Sequence, residues 1–385
     1  MTDPAGPARR HAAARVDLDA IRDNVVALRG HTRAEVMAVV KADGYGHGLL
    51  PCARAALAGG ATWLGTALLD EALALRAAGI TAPRILAWLA GPGERWADAI
   101  AADVDVSVNA GWALDEVVAA AGSLGRTARV HLKADTGLSR GGAAMHDWPD
   151  LVTAARKAEG EGAVQVVGVW SHFAYADAPG HPTIARQAGV FAEAVAAAEA
   201  AGLRPQVRHL ANSAATLTVP EHHFDLVRPG LAVYGLSPVP QVGGPEHYGL
   251  RPAMTLTGSL VLVKRAPAGA GVSYGHTYVT GAETTLGLVP LGYADGVPRD
   301  AGNTAPVWAA GRRRTIAGRV CMDQFVLDLG DDAAEAGDEV VLFGPGTGGE
   351  PTAEEWARAT GTISYEIVTR VGPRVPRVYL GELAG

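Results

Sequence analysis

Cysteine is nearly absent: the chain has two, Cys52 and Cys321, among 385 residues. Two thiols give no disulfide framework and fit a reducing compartment, so a cytoplasmic protein is expected. Long apolar runs are missing too. No segment reaches the ~18 apolar residues of a membrane helix. Residues 1–14 carry arginines and alanines but no apolar stretch of signal-peptide length. A basic excess is also lacking, since 33 Lys and Arg stand against 40 Asp and Glu for a net charge of −7. Interspersed charge of this sign excludes the basic stripe of a nucleic-acid binder. His222 and His223 lack partners at metal-ligand spacing, so no metal is expected. Residues 1 to about 10, rich in Pro, Gly and Ala, read as a frayed tail.

What is present is a globular composition, 48% hydrophobic and 19% charged. The length suggests two domains. Over residues 13–249, short apolar runs alternate with alanine-rich stretches of helical period. The strand candidates are 35–41, 62–66, 84–89, 104–108, 128–133, 164–171, 206–211 and 225–228. Helices such as 69–78, 111–121, 149–160 and 184–201 lie between them. Runs that are apolar throughout suit strands buried on both faces of a parallel sheet. Eight of them predict a (β/α)8 barrel, with a doubly wound sheet as the competitor. Over 250–385 the pattern becomes short Val/Leu/Thr runs broken by Gly and Pro: 256–264, 284–291, 306–309, 314–319, 325–329 and 338–343. These predict an antiparallel β domain with one helix near 352–360. An opening strand at 14–18 precedes the barrel pattern and is free to join the second domain.

In a barrel the active site gathers at the C-terminal ends of the strands. The polar residues following each run are Lys41; Lys133 and Asp135, with Arg140 beyond; His172; Asn212 and Ser213; and Arg228 with Gly230. Lys41 ends the apolar run 36–40, and a desolvated amine becomes nucleophilic, as Schiff-base chemistry requires. The ordinary alternative is a lysine that buries its stem and keeps its ammonium in water. Backbone N–H groups near Ser213 and Gly230 suit a phosphate, while Ser213 suits a helix cap equally well. The run 344–349 fits G-x-G-x-x-G, but Pro345 lies inside it and too little chain follows for a dinucleotide fold.

Residues 39–48 (VVKADGYGHG) closely resemble the pyridoxal phosphate (PLP) lysine signature of bacterial alanine racemases. Family-like motifs follow in order: 131–137 (HLKADTG) with Arg140, 171–174 (SHFA), 211–214 (ANSA), 228–231 (RPGL), 272–275 (VSYG), 292–296 (GYADG), 321–323 (CMD) and 364–366 (SYE). The resemblance spans about residues 13–382. It implies a PLP-binding barrel plus a C-terminal β domain, in a homodimer whose sites are shared between subunits. It makes Lys41 the Schiff-base lysine. It sets Tyr45, Ser213, Gly230, Leu231 and Tyr365 around the phosphate, Arg228 at the pyridine nitrogen, and His172 and Asn212 around the ring. Arg140 contacts the phenolic oxygen and the substrate carboxylate. Tyr274, Tyr293, Cys321, Met322 and Asp323 come from the partner. Lys133 matches a position that is carbamylated in some members.

The implied reaction interconverts L- and D-alanine, supplying D-alanine for cell-wall synthesis. Lys41 serves the D-substrate and Tyr274 the L-substrate, from opposite faces. Phenols ionise near pH 10, so one working as a base near neutrality needs cations close by. The resemblance puts His172 and then Arg228 in line with Tyr274. Two alternatives stand beside alanine racemisation. One is a racemase of broader or different specificity, for serine or lysine. The other is a non-catalytic PLP-binding barrel, which resembles the first domain alone.

Overall fold

Apolar residues that run without alternation form strands covered on both faces: every residue of 36–39 and 63–66 is buried. In chain order the first nine strands are β1 (Ala12–Asp17), β2 (Glu35–Val39), β3 (Trp63–Thr66), β4 (Arg84–Ala87), β5 (Asp105–Val108), β6 (Ala128–Lys133), β7 (Val164–Trp170), β8 (Val207–His209) and β9 (Leu226–Val227). This computed structural model describes residues 11–384. The tail expected over the first ten residues lies outside them.

Strands β2 to β9 run parallel in the order β8-β7-β6-β5-β4-β3-β2-β9. Between the outer two, Asp225 N donates to Arg208 O at 3.1 Å and Arg228 N to Ala211 O at 2.9 Å. The ring is thereby nearly closed, as a (β/α)8 barrel. Met37, Trp63, Leu86, Val207 and Leu226 pack together as a buried cluster. Helices Leu69–Ala77, Gly111–Leu124, Trp148–Gly160 and Pro182–Ala200 are among the connections. Several strands are shorter than their apolar runs. The run 206–211 is strand only over Val207–His209, because Leu210 and Ala211 already turn toward the helix starting at Ser213.

The C-terminal strands are β10 (Met254–Ser259), β11 (Leu262–Ala266), β12 (Gly271–Val272), β13 (Tyr278–Val279), β14 (Thr284–Val289), β15 (Pro306–Ala309), β16 (Arg312–Ala317), β17 (Phe325–Gly330), β18 (Glu339–Phe343) and β19 (Arg377–Leu380). Nine strands form one sheet in the order β11-β14-β17-β16-β15-β18-β10-β1-β19. All pairings are antiparallel except β1 with β19. Strict alternation of buried residues in β17 shows one face turned to a core. The run 256–264 is two strands: the chain leaves β18 at Leu260 and pairs with β14 from Leu262. The helix Ala353–Thr360 is capped reciprocally by Thr352 and Glu355. A second helix, Ser364–Thr369, was not expected, because six residues are too few to show a period.

The chain divides into two units. One holds Ala20–Gly44 and Leu49–Arg251, and contains the barrel; the other holds the residues from Pro252 onward with Tyr45–Gly48 and the described residues up to Asp19. In the latter, the glycine loop at 344–349 already has its anion: the Glu350 carboxylate accepts from Gly346 N and Gly348 N, both at 2.8 Å.

Candidate active site

The backbone after Lys41 is strained. Ala42 (φ 53, ψ 50), Asp43 (φ 52, ψ 49) and Gly44 (φ 61, ψ 43) make a left-handed turn. Each non-glycine residue there costs about 1–2 kcal/mol. A carboxylate holds it: Glu71 accepts from Ala42 N at 2.6 Å, and from Ala67 N and Leu68 N at 3.0 and 3.1 Å. One side chain thus ties the loop after β2 to the loop after β3. Burial lowers the Lys41 pKa, Arg140 and Arg228 lower it further, and Glu71 opposes them.

Arg228 is only 4% exposed. It donates to Ser171 O at 2.7 Å, to His209 Nδ1 at 3.0 Å and to His172 Nδ1 at 3.3 Å. Burial alone brings its pKa down to about 9, so it stays charged at neutrality. Burial, then the charges of Arg228, Arg140, Lys133 and Lys41, push His172 well below the usual histidine value. His172 is therefore neutral. With Nδ1 accepting from arginine, its proton sits on Nε2. Lys133 is pushed down to about 8 by burial, then by Arg228 and Arg140, against Asp135.

Trp170 underlies these cations. Its ring centroid lies 4.3 Å from Lys133 Nζ and 4.8 Å from Arg228 Cζ. It stacks on His209 at 5.5 Å and meets Trp88 at 6.0 Å, and Trp88 lies 5.8 Å from Lys41 Nζ. Arg140 follows a turn that Asp135 ties down, one carboxylate oxygen accepting from Gly137, Leu138 and Ser139 N at 2.9–3.1 Å. Among the described residues Lys41, Lys133, Arg140 and Arg228 form no ion pair, which leaves a cluster with an excess of positive charge.

Ser213 does not cap its helix. Asn212 does, accepting from Ala215 N at 3.1 Å. Ser213 Oγ instead accepts from Gly230 N at 2.8 Å and Ala232 N at 3.3 Å, joining the β8 and β9 loops. Its own hydrogen remains to donate. Leu231 opens a short 3-10 turn, where N–H groups have no carbonyl of the turn to bond.

The C-terminal unit gathers the remaining residues in two places. Tyr45 and Tyr365 approach with ring centroids 6.3 Å apart. Burial, then Tyr365, pushes the Tyr45 phenol well up, so it stays a neutral donor. Tyr274, 71% exposed, follows Ser273, whose hydroxyl donates to Arg319 O at 2.7 Å and lies 3.3 Å from Cys321 Sγ. Tyr293 N donates to Cys321 O at 3.1 Å and Ala294 N to Met322 O at 2.9 Å. A side chain at Gly292 would place its Cβ 2.2 Å from Met322 O. Tyr274, Tyr293, Cys321, Met322 and Asp323 therefore sit on adjoining loops. Asp323 is ion-paired with Arg374 at 2.8 Å, and Arg374 also meets Asp295 at 3.1 Å.

Residues 16–238 match the family described as "Alanine racemase, N-terminal domain", and 253–379 that described as "Alanine racemase, C-terminal domain". The chain belongs to the alanine racemase family. It is 67% identical over 378 residues to an alanine racemase of Frankia casuarinae, covering 98% of each chain. It is 64% identical to that of Salinispora arenicola, covering 96% of this chain and 99% of the relative. The crystal structure of alanine racemase from D-cycloserine-producing Streptomyces lavendulae superposes with a TM-score of 0.96 at 62% identity, over 98% of both chains. Alanine racemases are PLP-dependent amino-acid isomerases, and the racemase activity and the barrel-plus-sheet fold implied by the motifs stand. Sequence reasoning passed over Glu71, Trp88, Trp170 and Arg374. Trp170 had a signal, as the last residue of β7 directly before Ser171 and His172. Glu71 had none for its hold on the Lys41 turn, because Ala42 lies 29 residues before it in the chain.

Proposed function

We propose that this alanine racemase works by a two-base route with PLP held on Lys41, in sites completed by a second copy of the chain. The observation that carries this reading is the cluster of cations Lys41, Lys133, Arg140 and Arg228 around a neutral His172. It fits PLP on chemical grounds. Uncompensated positive charge suits a phosphate and an amino-acid carboxylate, a depressed lysine suits an aldehyde, and Arg228 offers only donors to a ring nitrogen. Ser213, Gly230 and Leu231 would hold the phosphate together with Tyr45 and Tyr365, and His172 and Asn212 would flank the ring.

When bound, PLP supplies an electron sink for the carbanion left at Cα. The chain's residues do the rest. Arg140 orients the substrate carboxylate. Lys41 removes or returns the α-proton on one face. Tyr274 of the partner subunit does so on the other, with each group left as the acid for the reverse direction. His172, protonated at Nε2, can only donate toward that phenolic oxygen. The 71% exposure of Tyr274 fits a group presented to a second copy. Tyr293, Cys321, Met322 and Asp323 share its loops and would line the substrate side. There the Met322 loop, with Tyr365, narrows the pocket toward alanine and against serine or lysine.

With a pKa of about 8, Lys133 is partly free amine at physiological pH. Free amine adds CO2 and releases a proton, giving a carbamate whose charge would orient Arg140. A cytoplasmic location follows from this reading and from the two unpaired cysteines. Among the described residues no helix is long and apolar enough to cross a membrane. Purified protein should show a PLP absorption band and should racemise L-alanine faster than L-serine or L-lysine, followed by loss of optical activity. Absence of the band, or equal rates on all three, would defeat the reading.

A further inference from the structure

A chain of hydrogen bonds runs through the barrel interior beneath Arg228. Arg228 Nη1 donates to His209 Nδ1 at 3.0 Å. His209 Nε2 and His131 Nδ1 are 2.9 Å apart, and His131 Nε2 lies 3.2 Å from Asp105 Oδ2. Asp105 opens β5, at the opposite end of the barrel from the site. Both rings and the Asp105 side chain are fully buried.

The two ends fix every proton between them. A carboxylate only accepts and a guanidinium only donates. Asp105 is ionised: burial works against its charge, but the hydrogen bond from His131 and the charges of Arg84 and Arg129 outweigh it and hold the pKa low. Burial keeps both histidines neutral, His131 despite Asp105. Hence His131 gives its Nε2 proton to Asp105, and its Nδ1 accepts from His209 Nε2. His209 Nδ1 is then left to accept from Arg228. Any other tautomer sets two donors or two acceptors face to face.

The barrel makes room for this line. A Cβ on Gly168, opposite His131 in β7, would stand 2.1 Å from His131 Nδ1. Arg84 and Arg129 clamp Asp105 from β4 and β6. Trp170 covers His209 face to face. Among the described residues no carboxylate forms an ion pair with Arg228, so Asp105 is the anion to which the buried guanidinium is linked.

We propose that Asp105 is a positioning residue for racemisation: through His131 and His209 it locks the tautomers that orient Arg228, and so keeps the His172 proton on Nε2. This rests on the racemase reading of the site. A buried aspartate that locks a histidine tautomer has large kinetic effects where it acts directly. Here it acts through two further rings. Asp105→Asn should therefore lower kcat on the order of tenfold with KM unchanged, the scale of effects carried through a packed network.

The test is long-range 1H–15N NMR of histidine-labelled holoenzyme together with kinetics. Wild type should show Nε2–H tautomers at His131, His209 and His172. In Asp105→Asn, His131 and His209 should become tautomer mixtures. Gly168→Ala, which leaves every charge in place, should do the same if the first variant fails to fold. Asp103→Asn removes the exposed partner of Arg129 and should change neither tautomers nor kcat. An Nδ1–H tautomer at His131 or His209 in wild type would overturn the proposal. So would unchanged tautomers and kcat in the Asp105 and Gly168 variants. An inactive wild type with the expected tautomers would count against the racemase reading alone.

Discussion

Lys41 owes its character to its surroundings. Burial and two arginines lower its pKa, so its free amine prevails at lower pH than in an ordinary lysine, whose value is about 10.4. Capture of PLP by apoenzyme should therefore quicken with rising pH, with a midpoint below that value. A midpoint at the ordinary value would refute the shift. Arg228 has the second testable role. A ring nitrogen that meets only donors stays unprotonated, which weakens the electron sink and suppresses side reactions. Arg228→Glu should raise pyruvate formed per racemisation event; unchanged pyruvate would refute this. For Lys133 the sign is also fixed. Carbamate needs the neutral amine, so a 13C carbamate signal from 13CO2-equilibrated protein should weaken as pH falls below about 8. It should vanish in Lys133→Ala.

At the scale of elements, two carboxylates hold the loops that present these residues. Asp135 ties three N–H groups of the turn before Arg140. Asp135→Ala should cost ten- to a hundredfold, roughly, in kcat/KM by misplacing the arginine, while the PLP band persists. A kcat/KM within twofold of wild type would show that the turn holds itself. The barrel was legible because its strands are apolar on both faces, and that pattern survives in one dimension. Lys41, His172, Asn212 and Arg228 were legible because each follows such a run. Glu71, Trp88 and Asp105 were not, since each acts on residues far along the chain. The role of Ser213 stayed open between helix cap and phosphate ligand for a related reason: Asn212 and Ser213 are both good caps, and only the neighbouring β9 loop decides between them.

At the scale of the whole molecule, the shared site is the reading to test. Lys41→Ala and Tyr274→Ala chains, mixed with subunit exchange confirmed, should recover about a quarter of wild-type activity through one intact site in each mixed dimer, given random pairing and the isologous symmetry of a homodimer. No recovery would mean that both residues act within one subunit. Motif order along nearly the whole chain made the family legible, whereas the exact membership of the two units was not. Strand β1 opens the sequence, yet it lies between β10 and β19 in the C-terminal sheet. On a ribosome adding about 5–20 residues per second, β1 emerges first and waits tens of seconds for both neighbours to be made. The barrel can assemble in that interval, with the unpaired strand as its leading tether. Completion of the second sheet therefore waits until β19 has been made, and premature termination anywhere before β19 leaves β1 with an open edge.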